Sequence, residues 1–174
     1  MKIILIHGKS QSGKDTVAKF LYDKLTKEDK RVLKISNAYS VKYIAEKCFG
    51  WDGEKDERGK KLLIDITHAG YNYHKYFWEC RVYLVVKPVM KSLDYLIIPD
   101  WRYRNTYEFW KDRVEEVYTV KVERPDLKYK YSNFIEKDDT KELRNFNFDV
   151  EIINSGSLEE LEEKVEEMIR MMRW

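Results

Sequence analysis

Cysteine and histidine are scarce in this sequence. Two cysteines, Cys48 and Cys80, and three histidines, His7, His68 and His74, are spread over 174 residues. The cysteines form no CxxC pair, and no histidine is spaced with them as a metal cluster, so a zinc site does not fit. Buried or free thiols in a reducing compartment are the expectation. Long apolar runs are also missing. The opening MKIILIHG is too short for a signal peptide or a membrane span, and no other run approaches ~18 apolar residues. A cytoplasmic protein without membrane contact is therefore expected. Nor does one charge dominate: 33 basic and 31 acidic residues leave a net charge of +2. That balance gives no bulk electrostatic case for a nucleic-acid or membrane surface.

What is present describes a folded chain. Hydrophobic residues make up 43% and charged residues 37%, which separates the sequence from disordered ones. The length suits one domain with a sizeable core. Thirteen tyrosines and five tryptophans are many for this length. They suit a core, a base-stacking pocket or an interface, and composition does not choose among these.

Apolar runs alternate with helical periodicity. Ile3–Ile6 is short, β-branched and followed by Gly8, which reads as a buried parallel strand. Val17, Ala18, Leu21 and Leu25 have helical spacing. RVLKIS (31–36) reads as a second strand, and residues 41–49 as a helix. WDGEKDERGKK (51–61) reads as a charged loop. LLIDITHAGY and FWECRVYLVV read as two helices, the second stopping or bending at Pro88. YLIIPD (95–100), VYTVKVERP (117–125) and DVEIIN (149–154) read as three further strands. Residues 126–147 are polar and weakly periodic. Ser157 followed by Glu160 is a capping box that opens a last helix. The alternation predicts an α/β domain with a mainly parallel sheet, whose ligands gather at the carboxyl ends of the strands.

The strongest motif sits at the first such end. Gly8, four residues, Gly13 and Lys14 have the spacing of a phosphate-binding loop, with a strand before and a helix after. Backbone N–H groups of Gly8, Ser10, Gln11, Ser12 and Gly13, the helix dipole and the charge of Lys14 suit the phosphates of ATP. Asp15 stands where such loops usually carry a hydroxyl that meets Mg²⁺. A carboxylate is also a hard-oxygen ligand, so Asp15 and Thr16 are the metal candidates. Asp15 reads equally as a helix-dipole residue.

GKSQSGKDTVAKFL resembles the start of the phage-type and bacterial deoxynucleoside monophosphate kinases, where SGKDT is a usual loop. Related loops occur in animal phosphomevalonate kinase. SNAYSVKYIAEKCFGWDGEKDERGKKLL is similar to the family's acceptor segment, roughly F-A-x-x-x-K and then F-G-W-D-G-x-K-D-x-x-G-R-x-L. IIPDWRYRNTYEF is similar to its D-x-R-F-x-N-E motif, and VKVERPD to its strand ending in Arg-Pro. The likeness runs from about residue 2 to 165, with the pieces in order.

The resemblance implies a single P-loop kinase domain over 1–174, with five mainly parallel strands in the order of nucleoside monophosphate kinases. It implies transfer of phosphate from ATP, with Mg²⁺, to a (deoxy)nucleoside monophosphate. Alternatives are another small phosphorylated acceptor, such as phosphomevalonate, or nucleotide binding without turnover. Partners are small nucleotides, and the oligomeric state is open, with a homodimer as one option. The catalytic residues implied are Lys14, Asp100 as the acid ending the third strand, Arg102 and Arg124. An acceptor segment over about 36–78 would supply Lys42, Trp51 and Arg58, with Lys60 and Lys61 nearby. Arg102 or Arg104 would grip the acceptor phosphate, although Arg104 replaces a residue that is often Pro. Trp51 and the set Tyr71, Tyr73, Tyr76, Phe77 and Trp78 are candidates for base stacking, although the last two have core spacing. A mobile lid is expected over about 124–147, with Arg124 and then Arg144 as charge donors. Here DDTKEL replaces the family's His-x-Ser-Glu, keeping only Glu142. Asn154 to Ser157 are in a position to line the adenine through the backbone, although the capping role of Ser157 is the stronger claim.

Overall fold

The computed structural model describes residues 1–126 and 142–172. Five strands form one sheet: β1 Lys2–Gly8, β2 Val32–Lys34, β3 Tyr95–Ile98, β4 Glu116–Glu123 and β5 Val150–Ile153. Every pairing is parallel, and the order is β2-β3-β1-β4-β5. The helices are α1 Lys14–Lys27, α2 Tyr39–Phe49, α3 Glu57–Tyr73, α4 Phe77–Val86, α5 Arg104–Lys111 and α6 Leu158–Met171.

β1 is central because it is apolar on both faces. Ile3 to Ile6 are at most 1% exposed, and only a strand covered on both sides tolerates that. Alternate side chains then point to opposite faces. Ile4 and Ile6 pack with Val17 and Leu21 of α1 and Leu161 and Val165 of α6. Ile3 and Leu5 pack with Val82 and Val86 of α4 and Phe109 and Trp110 of α5. Burial of each such side chain contributes roughly 1.5–3 kcal/mol. A third cluster ties α2, α3 and α4 together through Val41, Ala45, Ile66 and Trp78. This cluster supports the wall of the cavity described below.

The structure departs from the sequence reading in four places. First, α3 begins at Glu57, inside the stretch read as a charged loop. Asp56 caps it, accepting from Gly59 N at 2.7 Å. Second, residues 104–111, which received no element, form α5. This helix is short, and its buried side is only Thr106, Phe109 and Trp110. Third, β2 stops at Lys34, although Ile35 N still bonds Ile97 O at 3.0 Å. Ser36 then leaves the sheet edge to meet Asp100. Fourth, the end of the expected lid is part of the core. Leu143 is 1% exposed, and Phe146 and Phe148 pack edge-on against Trp101. The middle of that lid, with Lys128, Lys130, Lys137 and Lys141, lies outside the described residues. Helix α4 ends at Val86, before Pro88, as expected. No helix among the described residues is long and apolar enough to cross a membrane.

Candidate active site

The loop between β1 and α1 is built by local backbone chemistry. Gln11 (φ 63°) and Gly13 (φ 98°) are left-handed, and Ser12 between them is not. Alternation of hand turns successive N–H groups to one side, the pattern of an anion nest. Gly13 also has to be glycine for space: a Cβ there would lie 2.4 Å from Asn154 Nδ2. That amide donates to Ser12 O at 2.9 Å, so the end of β5 anchors the loop. Gly8 lets the loop fold back on the sheet, because a Cβ would come within 2.7 Å of Val122 O. Ser12 is fully buried, and its hydroxyl has no partner.

Lys14 and Asp15 stand between two cavities and line both. The Lys14 side chain is only 11% exposed, and its Nζ is 3.6 Å from the Asp15 carboxylate, which is itself exposed. The first cavity, about 400 Å³, is lined by Gln11, Gly13, Thr16, Arg124 and Asn154, and by Gly156 and Ser157 at the start of α6. The second, about 320 Å³, lies toward α2 and α3. It gathers five cations, Lys14, Lys42, Lys55, Lys60 and Arg102. Tyr71, Trp78 and Tyr103 line it as well, with Val41, Leu63 and Ile64. Burial, reinforced by Lys42 and Lys14, pulls the Lys55 ammonium below its ordinary range. An anion entering here would relieve that crowding.

Asp100 turns inward. Its carboxylate accepts from Ser36 Oγ and from the backbone N–H groups of Asn37 (3.0 Å) and Ala38 (3.1 Å). The acid at the end of β3 therefore clamps the start of the acceptor segment onto the sheet. On the far side of Gly8, His7 Nδ1 lies 3.0 Å from Trp101 O. Burial holds the His7 imidazole below its ordinary range, against the Trp101 hydrogen bond, and the charges of Arg102 and Lys121 add to this.

Of the residues singled out in the sequence, the second cavity brings together Ser10, Lys14, Asp15, Lys42, Asp100 and Arg102. Arg124 borders the first cavity and also a third of about 460 Å³, which Gly8 and Arg144 share. Three acceptor candidates stand elsewhere. Arg104 is exposed: its guanidinium lies 5.5 Å from the Phe146 ring centroid, and its N–H donates to Glu142 at 3.2 Å. Arg58 is exposed in the first turn of α3 and does not line the cavity. Trp51 packs against the third cluster, and its indole N–H donates to Glu54 O at 2.7 Å, so it props the 51–56 turn. Lys61 pairs with Asp65 on its own helix. Of the aromatic set, only Tyr71 and Trp78 reach the cavity; Tyr73 is 83% exposed. Sequence reasoning missed Lys55 and Tyr103, which stand one to three residues from residues it named. It also missed the Asn154 side chain, for which the sequence carries no local signal.

No protein-family model matches the sequence, and no curated protein sequence matches it. Solved structures do. An APS kinase from Mycobacterium tuberculosis, in complex with AMPPNP and APS, matches with TM-score 0.54 at 15% identity, covering 99% of this chain and 98% of that one. A sugar kinase from Janibacter sp. HTCC2649 matches with TM-score 0.51 at 12% identity, over 97% of this chain and 94% of that one. A hexameric APS kinase from Thiobacillus denitrificans gives TM-score 0.53 at 12% identity, covering 98% of this chain but 29% of that one. At these identities the likeness is one of fold. The chain has the fold of P-loop kinases, with a five-stranded parallel sheet flanked by helices.

Proposed function

We propose that the protein transfers the γ-phosphoryl group of ATP to a (deoxy)nucleoside monophosphate, giving ADP and the diphosphate. The observation that carries this reading is the cation-rich, aromatic-walled second cavity, which shares Lys14 with the phosphate-loop side. A phosphate suits its five cations, and a planar base suits the rings of Tyr71 and Tyr103, which Trp78 backs from the core. The aromatic wall favours a nucleotide over a branched aliphatic acceptor such as mevalonate phosphate. The APS kinase complex with AMPPNP supports a nucleotide donor on this fold.

In this reading the loop from Gly8 to Thr16 holds the donor phosphates. An oxygen of the acceptor phosphate attacks the γ-phosphorus, the bond to the β-phosphate oxygen breaks, and ADP leaves. Lys14 neutralises charge on the transferring group, and Arg102 holds the acceptor phosphate in line. Arg124 adds positive charge from the end of β4. Among the described residues no group of three His, Cys, Asp or Glu forms a metal cage. Mg²⁺ is commonly held by substrate phosphates, water and one or two carboxylates. Asp15, exposed beside Lys14, and Thr16 are the protein groups that would hold it; when bound, the ion neutralises charge on the phosphates. In this reading the segment 36–78 is the acceptor portion of a single kinase domain.

ATP consumption measured with a panel of monophosphates, including mevalonate phosphate, tests the reading. Turnover with at least one nucleoside monophosphate is expected. Tight ATP binding without turnover would mean a binding module, and turnover with mevalonate phosphate alone would mean the other kinase. Asp15 has its own test. Asp15→Ala is expected to raise the Mg²⁺ concentration for half-maximal rate by about threefold or more, and Asp15→Ser to keep activity. An unchanged Mg²⁺ dependence in Asp15→Ala would leave the residue as a helix-start carboxylate.

A further inference from the structure

Glu79, in the first turn of α4, is fully buried, and the reaction as described does not use it. It does not line the acceptor cavity. Its Oε1 accepts from the Thr106 hydroxyl at 2.7 Å and from the Tyr71 hydroxyl at 2.9 Å. Thr106 has one hydroxyl hydrogen, and it is directed at Glu79. Its oxygen is therefore left to accept from the Asn37 side-chain amide, at 3.2 Å. The chain of bonds has one sense, from Asn37 to Thr106 to Glu79, with Tyr71 donating from the other side.

The four members come from four segments: the turn before α2, α3, α4 and α5. Asn37 and Tyr71 line the cavity. Tyr103, which also lines it, is held at both ends of the same network. Its carbonyl accepts from Thr106 N at 3.1 Å, and its ring meets Tyr71 edge-on, with centroids 4.8 Å apart. We propose that Glu79 is a positioning residue of the acceptor cavity, holding Tyr71 directly, Asn37 through Thr106, and Tyr103 through Tyr71 and Thr106, without touching substrate. The proposal rests on the reading that this cavity takes the phosphoryl acceptor.

The protonation state gives a conservative replacement. Glu79 Oε2 is buried and has no partner, a costly place for a carboxylate oxygen. Burial pushes the Glu79 carboxyl up, against the hydrogen bonds from Thr106 and Tyr71. In its neutral form the acid would carry the proton on Oε2 and leave Oε1 to accept both hydroxyls. Glutamine has that shape and that neutrality.

The test compares Glu79→Gln, Glu79→Ala and Thr106→Val by steady-state kinetics varying each substrate, and by amide hydrogen exchange. Glu79→Ala is expected to raise the KM for the acceptor about tenfold or more and to leave the KM for ATP within about threefold. Glu79→Gln is expected to keep both within about threefold of wild type. Thr106→Val breaks the chain with little change of shape, and shows the same acceptor-selective loss should Glu79→Ala fail to fold. Amides of residues 36–42 are expected to exchange faster in the alanine and valine variants, with those of 8–16 unchanged. Glutamine as damaging as alanine, equal loss for both substrates, or unchanged exchange would each overturn the proposal. Absence of phosphoryl transfer to any acceptor by the wild-type protein would overturn the functional reading instead, and the exchange pattern alone would then decide for or against the network.

Discussion

Replacing Lys14 with alanine is expected to cut turnover about 100-fold or more while the fold survives, a loss of roughly 2–4 kcal/mol at the transition state. The reason is placement. The side chain is only 11% exposed, so its charge is little screened by water, and it faces both cavities. In the proposed reaction an ammonium there would meet phosphate oxygens from donor and acceptor at once, and it would gain most as charge moves between them. The fold does not depend on it. Helix α1 is held by Val17, Ala18, Leu21 and Leu25, all on its buried face. Its first turn keeps the bond from Val17 N to Gly13 O at 2.9 Å. Measuring kcat together with thermal unfolding separates the two effects. Near-normal turnover in a folded Lys14→Ala protein would sink the phosphate-loop reading.

The strand, loop and helix of the phosphate-loop motif were legible in the sequence because their information is local. Glycine spacing, a β-branched run and an apolar stripe of period 3.6 all fall within residues 3 to 25, and each constrains its own stretch of backbone. The sheet order was legible only through resemblance, since a buried strand has the same pattern wherever it sits in a parallel sheet. The acceptor side was less legible for two physical reasons. A lysine or arginine near a helix start has the same local signature whether it faces solvent or a cavity, which is why Arg58 was chosen and Lys55 overlooked. Side chains that act across the fold leave no pattern at all. Asp100 reaches 62 to 64 residues back to Ser36, Asn37 and Ala38, and Asn154 reaches 142 back to Ser12. Helix α5 was missed because eight residues with three buried positions are too few to establish a period.

Arg102 is expected to separate acceptor from donor. Its backbone is fixed on one side by Trp101, which is 1% exposed and whose N–H donates to Ile6 O at 3.0 Å. The Trp101 indole N–H donates to Tyr103 O at 2.8 Å, so the chain is pinned on the other side too. A guanidinium starting from that fixed point lines the cavity with Lys42 and Lys60, beyond Lys14. Its planar fork takes two phosphate oxygens at once, which an ammonium cannot copy. Arg102→Ala and Arg102→Lys should both raise the KM for the monophosphate, or lower kcat/KM, by about 1.5–3 kcal/mol. The affinity for ATP should stay within about a factor of three, because in the proposed reaction the loop from Gly8 to Thr16 is the part that holds the donor phosphates. Steady-state kinetics varying each substrate in turn, with ATP binding by calorimetry as the control, make the comparison. Equal loss for both substrates would move Arg102 to the donor side or into support of the fold. No loss for either would pass the phosphate grip to Lys42, Lys55 and Lys60, which line the same cavity beside Lys14.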